Sequence, residues 1–172
     1  MTMRADNISL HLSGFDLLRN ISLEVEAGKV TAIVGPNGAG KSSLLKVLTG
    51  EMAATRGEVF LNNRLLQDWP LLDRAKILAV LPQHTLLNFP FTADEVVGLG
   101  RIPHNTGLAK DTQIIAEALD LVDASYLQKR FYTQMSGGEK QRVQLARVLA
   151  QIWQASHLGE QFLVLDEPTS AF

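Results

Sequence analysis

Three glycines, a lysine and two serines in the run Gly35, Pro36, Asn37, Gly38, Ala39, Gly40, Lys41, Ser42 and Ser43 have the types and spacing that hold phosphate. Glycines let a backbone fold into a concave nest whose N–H groups face an anion. A lysine at the loop's end reaches the β- and γ-phosphates of a nucleotide, and the following hydroxyl holds Mg2+. A second group is Phe162-Leu163-Val164-Leu165 followed by Asp166 and Glu167. Carried to the end of a buried strand, Asp166 holds Mg2+ and Glu167 takes a proton from an attacking water. In isolation, such an acidic pair equally well describes a solvated turn. The third group is Ser136-Gly137-Gly138-Glu139. It reads either as a plain capping box, with Ser136 as N-cap and Glu139 reaching back, or as a second helix terminus facing an anion.

The elements needed to place these residues are present in the pattern. Val30-Thr31-Ala32-Ile33-Val34 reads as a buried parallel strand and Ser42 to Val47 as the start of a helix, so the phosphate loop joins strand to helix. Asn7 to Leu12 and Ile21 to Glu26 alternate apolar and polar residues, as half-exposed antiparallel strands do. Gly57 to Leu61 and Ile77 to Leu81 are further strands, with a short helix between them from Leu71 to Lys76. From about Gln83 to Gln134 the pattern turns helical. Thr92 and Glu95 form a capping box, and Ile115, Leu119 and Val122 repeat at helical spacing. Val143, Ala146, Leu149, Ile152 and Trp153 make an apolar stripe on the helix that Ser136 opens.

Bulk composition narrows the function class. At 172 residues, 46% hydrophobic and 20% charged, the chain is long enough for one ordinary domain. A net charge of −2 speaks against a strongly electrostatic nucleic-acid binder, and a chain without cysteine has neither disulfides nor thiolate metal sites. No stretch approaches the length of a membrane span, so work at a membrane requires a partner that holds the chain there.

Taken together, these residues resemble the ATP-binding subunits of ATP-binding cassette (ABC) transporters, over the chain from about Ile8 to Ala171. Gly35 to Ser42 is similar to the family's first nucleotide motif, Gln83 to its Q-loop glutamine, Met135 to Glu139 to its signature and Leu163 to Glu167 to its acidic motif. The signature, followed by Lys140-Gln141-Arg142, is the most specific of these. The resemblance implies an α/β fold with a P-loop NTPase core of mixed and parallel sheet, N-terminal antiparallel strands and a helical subdomain at about 83–150, all within one domain over 1–172. ATP and Mg2+ are the implied cofactors, with Ser42, Gln83 and Asp166 on the metal and Glu167 and Gln83 in catalysis.

Further expectations follow from the same resemblance. Two copies close head to tail, so that Ser136, Gly137, Gly138 and Glu139 of one meet ATP bound by Gly35 to Ser43 of the other. The expected partners are a second ATP-binding subunit, integral-membrane permease subunits and, indirectly, a periplasmic substrate-binding protein. Nucleic acid is not among them. The expected place is the cytoplasmic face of the inner membrane, held there peripherally. The stretch from Leu81 to Arg101 looks like importers of haem, siderophores and cobalamin, and Gln141 to Gln151 with Trp153 is most similar to haemin-import subunits. His84, His104 and Met135 are read as surface or packing residues and not as haem ligands. Leu12 stands where the family often stacks an aromatic residue on adenine, with His11 and Phe15 nearby. The family continues past Ser170-Ala171 with a strand and a switch histidine, whereas this chain has Phe172. The sequence therefore predicts a domain without its last strands, with poor stability and weak hydrolysis at most.

Overall fold

The computed structural model describes residues 2–83 and 87–166. They form two compact units. One takes the chain up to Arg74 together with Ser156–Phe162, and the other is Ala75–Ala155 with the run from Leu163.

The first unit is built on an antiparallel sheet of β1 (Thr2–Leu12), β2 (Phe15–Glu26), β3 (Arg56–Leu61) and β4 (Arg64–Leu65), in the order β2-β1-β3-β4. Ser13 (φ 51°) and Gly14 (φ 84°) join β1 to β2 between the paired residues Leu12 and Phe15. Two consecutive left-handed residues give the tight hairpin turn whose twist matches that of the strands. The alternation read from the sequence has its physical cause here. Ile8 and Leu10 are buried under the sheet while Asn7 and His11 face out. Each full burial of such an aliphatic side chain stabilises by about 1.5–3 kcal/mol. Helix α1 (Lys41–Thr49) buries Leu44, Val47 and Leu48 and ends at Gly50, whose left-handed backbone returns its N–H to the Val47 carbonyl.

One expected strand does not form. Residues 30–34 carry no strand assignment, and Val30 and Val34 are 99% and 88% exposed. A strand exists only through hydrogen bonds to a neighbour. Among the described residues no backbone hydrogen bond reaches this run, so its β-prone composition has nothing to pair with.

In the second unit, β5 (Leu78–Leu81) pairs with β6 (Phe162–Leu165). The Asp166 N–H donates to the Leu81 carbonyl at 3.0 Å, so the C-terminal ends meet and the strands run parallel. Ala79, Leu81 and Val148 pack beside them. Around a separate core lie α3 (Ala93–Gly98), α4 (Leu108–Leu121) and α5 (Gly137–Gln151), burying Val97, Ile114, Leu127, Tyr132, Met135 and Val143. The deep face of α4 is Ile114, Ala118 and Leu119, while Ile115 and Val122 pack at its margin. Ile114 and Ala118, one turn apart, share that face and widen the expected stripe beyond Leu119. The short helix expected from Leu71 is α2 (Leu71–Ala75). Among the described residues no helix is long and apolar enough to cross a membrane.

Candidate functional site

The phosphate loop is shaped by its glycines. Ala39 N–H donates to the Pro36 carbonyl at 3.2 Å, closing a turn whose third residue, Gly38, has φ 82°. Gly40 then serves as N-cap of α1 with φ 88°. A Cβ there would lie 2.8 Å from the Leu17 carbonyl oxygen and 3.1 Å from Leu18 Cδ2, so β2 leaves room for glycine alone. The loop therefore delivers the chain into α1 with the first N–H groups of the helix unused by the helix itself. Lys41 arches back over this turn, its ammonium donating to the Gly35 and Pro36 carbonyls at 2.9 and 3.0 Å. Ser42 and Ser43 sit half-buried in the first turn of the same helix. The arrangement supplies a cation, a hydroxyl and a helix N-terminus within one turn of chain, which is what a polyphosphate needs.

In the second unit the Ser136–Glu139 turn is a complete capping box. Ser136 Oγ accepts from Glu139 N–H at 3.3 Å, and Glu139 Oε2 accepts from Ser136 N–H at 2.7 Å. The Glu139 carboxylate also takes a hydrogen bond from Arg130 Nη1 at 3.0 Å. The Ser136 backbone N–H, and after it the Ser136 hydroxyl, hold its carboxyl below the usual carboxylate range. The plain reading of this turn is thus satisfied. It does not use up the site, because only one of the first N–H groups of α5 has been taken by a side chain, and Gly137 has open space where a Cβ would stand.

Gln83 follows β5 and Asp166 follows β6, so the parallel pair carries both off the same end. Side-chain oxygens at the C-terminal end of parallel strands are placed for a ligand or a hard cation. Glu167 and His84 lie outside the described residues. Among the described residues no cluster of three or more His, Cys, Asp or Glu is built to hold a metal.

The remaining expected residues have ordinary explanations or none. His104 donates a ring N–H to the Gln151 carbonyl at 2.7 Å, and burial lowers its pKa. Met135 is a core residue at 5% exposure. Leu12 and Phe15 are 48% and 71% exposed on facing positions of the hairpin, and His11 Nδ1 pairs with Asp16 at 2.8 Å. Sequence reasoning missed Arg101, Asp111, Gln144 and Arg130. Gln144 is buried with its amide donating to Tyr132 Oη at 3.1 Å and its carbonyl accepting from Arg147 Nε at 2.7 Å. A polar residue inside an amphipathic stripe was the available signal for Gln144. Nothing in the pattern marks Arg101 as buried.

Comparison with known proteins gives a consistent picture. The sequence family described as "ABC transporter" matches residues 18–170. The hemin import ATP-binding protein HmuV of Pseudomonas aeruginosa is 51% identical over 171 residues, covering 98% of this chain and 66% of that protein. HmuV of Gloeobacter violaceus is 50% identical, covering 98% of this chain and 62% of its own length. The chain thus spans about two thirds of the length of these curated relatives. Among solved structures, a dimeric ATP-binding cassette in a post-hydrolysis state, bound to ADP and Pi, superposes with a TM-score of 0.84 at 25% identity, over 98% of this chain and 75% of the other. A metal-chelate type ABC transporter in an inward-facing conformation gives 0.75 at 26% identity, over 99% of this chain and 61% of the other.

Proposed function

This chain belongs to the ABC transporter family, and on that premise we propose that it binds and hydrolyses ATP to power a membrane importer whose cargo is haemin. The observation that carries the ATP reading is the phosphate cradle, with Gly38 and Gly40 left-handed and Lys41 held over the turn. Relatives named for hemin import, about half identical over nearly the whole chain, support the cargo.

Within this reading Gly35 to Ser43 hold the triphosphate. Lys41 exchanges its two loop carbonyls for phosphate oxygens, a stronger charge-assisted pairing. Ser42, Gln83 and Asp166 offer the oxygen donors that suit Mg2+, a small hard cation. When bound, Mg2+ neutralises developing charge on the phosphates. Glu167 accepts a proton from the attacking water. Ser136, Gly137, Gly138 and Glu139 meet the γ-phosphate held by a second copy, with backbone N–H groups at the start of α5 adding to the contact. Contacts made only in the closed pair are what allow ATP to favour closure and hydrolysis to reverse it. The chain sits peripherally at the cytoplasmic face of the inner membrane, where integral-membrane permease subunits convert this cycle to transport, with a periplasmic substrate-binding protein delivering the cargo. The whole chain then acts as one ATP-binding domain with its helical signature part at about 83–150.

A second reading, nucleotide binding without turnover, is favoured by one observation: residues 30–34, which lead into the loop, have no strand partner among the described residues. The test begins with the purified chain, MgATP and the Glu167→Gln variant. Turnover that Glu167→Gln abolishes supports the ATPase. Nucleotide affinity with no turnover, unaffected by Glu167→Gln, supports the second reading. Cargo is decided in proteoliposomes containing a permease with which this chain assembles. Uptake of a ferric siderophore or cobalamin in place of haemin would sink the cargo assignment and leave the ATPase standing.

A further inference from the structure

Arg101 stands at the opposite end of α5 from the Ser136–Glu139 turn. Its side chain is 4% exposed, and its guanidinium divides its donors among several elements. Nε bonds Asp111 Oδ1 in the first turn of α4 at 2.8 Å. Nη1 bonds the Ala150 carbonyl in the last turn of α5 at 2.7 Å. Nη2 bonds Thr106 Oγ1 at 3.0 Å and Gln154 Oε1 at 3.3 Å. Beside it, His104 donates to the Gln151 carbonyl. The Gln151 carboxamide in turn donates to the Ala75 carbonyl at the end of α2 at 2.7 Å and to the Leu78 carbonyl at the start of β5 at 3.1 Å. Gly100 completes the joint, since a Cβ there would fall 2.2 Å from the Arg147 carbonyl oxygen.

Helix termination alone does not require this. The last carbonyls of a helix are ordinarily satisfied by water, by glycine in the left-handed form or by an exposed lysine, whereas burying a cation carries a desolvation cost. What a planar, forked donor adds is direction. Four partners, in α4, at the end of α5, just beyond it and in the segment before α4, fix both the position of the end of α5 and its tilt. Over fifteen residues, roughly 22 Å of helix, a tilt of about 3° moves the far end by about 1 Å. A misplacement of about 1 Å at a contact that must form in the reacting state is enough to cost on the order of a hundredfold.

We propose that Arg101 is a positioning residue for the closed, ATP-bound pair: its fork sets the aim of α5, so that Ser136 and Gly138 meet the γ-phosphate held by a second copy of the chain. The inference rests on the ATPase reading given above. Asp111 is its supporting partner. The carboxylate is only 21% exposed in its side chain. Burial pushes its pKa up, but the Thr106 hydroxyl and the Arg101 guanidinium more than offset that and hold it lowered.

The test uses the whole chain carrying Glu167→Gln, so that bound ATP persists. Two quantities are measured: MgATP-dependent dimer formation by sedimentation velocity, and the affinity of dilute chain for a fluorescent ATP analogue. Arg101→Lys, which keeps charge and loses the fork, raises the dimer dissociation constant about tenfold or more, while analogue affinity stays within about twofold. Asp111→Asn moves the dimer constant in the same direction by a smaller factor. Adding Ser136→Ala to Arg101→Lys brings little further loss, because both act through one contact. An unchanged dimer constant, analogue affinity that falls in step with it, or fully multiplicative losses in the double variant each overturn the proposal. If Arg101→Lys does not fold, Asp111→Asn decides by the same criteria. A parent chain that binds the analogue and never pairs on MgATP overturns the functional reading itself, which separates that failure from failure of the role given to Arg101.

Discussion

Replacing Gly40 by alanine isolates what the phosphate loop asks of its backbone. At φ 88° and ψ 10° an alanine sits in the left-handed region, at a cost of about 1–2 kcal/mol. The added Cβ would also meet the Leu17 carbonyl oxygen at 2.8 Å and Leu18 Cδ2 at 3.1 Å. The first of these is backbone of β2 and does not swing away, so crowding adds about 1–3 kcal/mol. Gly38 supplies the control. Its φ of 82° is nearly the same, and nothing lies within 4 Å of its absent Cβ. Gly38→Ala thus carries the backbone cost alone, and the two variants differ by the crowding, about 1–3 kcal/mol. Trp69 is 8% exposed in the same unit as the loop, and Trp153 lies in the other unit. Urea unfolding followed by Trp69 fluorescence in a Trp153→Phe background therefore reads the first unit. Equal midpoints for the two alanine variants would falsify the claim that β2 demands glycine at position 40.

Other predictions bear on chemistry and pH. Lys41→Met removes the only cation donating to the loop carbonyls among the described residues and lowers affinity for an ATP analogue by roughly a hundredfold, on the scale of a lost charge-assisted contact of about 3 kcal/mol; titration with the analogue checks it, and a change under about threefold contradicts the assignment. Ser136→Ala removes an N-cap and lowers the stability of the second unit by about 1 kcal/mol, read by Trp153 fluorescence in a Trp69→Phe background. Glu139 has a lowered folded pKa, so its contribution is fully present above the ordinary carboxylate value of about 4.3 and fades as pH falls through the folded value; Glu139→Gln flattens that part of the pH profile. His104 is also lowered, by burial. Its neutral form favours the fold, so stability declines as pH falls below about 6.5, and His104→Gln loses that decline.

Features decided within a few residues were legible in the sequence. The Ser136 and Glu139 capping box needs only its own four residues, and Gly38 and Gly40 are where a turn into α1 requires positive φ. The hairpin of β1 and β2 was legible as alternation because one face of the sheet is buried. What escaped depends on distant chain. Residues 30–34 have strand composition, but pairing is a property of neighbours, and among the described residues they have none. The expected stripe of α4 does lie on the core, with Leu119 buried and Ile115 and Val122 packed against it, but its deepest residues also include Ile114 and Ala118, which only the neighbouring elements decide. Arg101 follows a helical apolar run like any surface arginine, and only the approach of α4 and the end of α5 makes it a buried joint.

The sheet order β2-β1-β3-β4 has a consequence for the order of assembly. Two of its pairings, β1 with β2 and β3 with β4, join strands adjacent in the chain, while the third, β1 with β3, sets Met3 opposite Leu61; all are available once Leu65 has been made. The two adjacent pairings close with little loss of chain entropy, and the β1–β3 pairing follows while the rest of the nascent chain is still emerging. β5 must instead wait for β6, which begins at Phe162. Val30–Val34, a β-prone run without proline and without a strand partner among the described residues, is exposed to other nascent chains during that interval and after it. Yield on expression should therefore depend on synthesis rate and on chaperone supply more than on the final stability of the hairpin sheet.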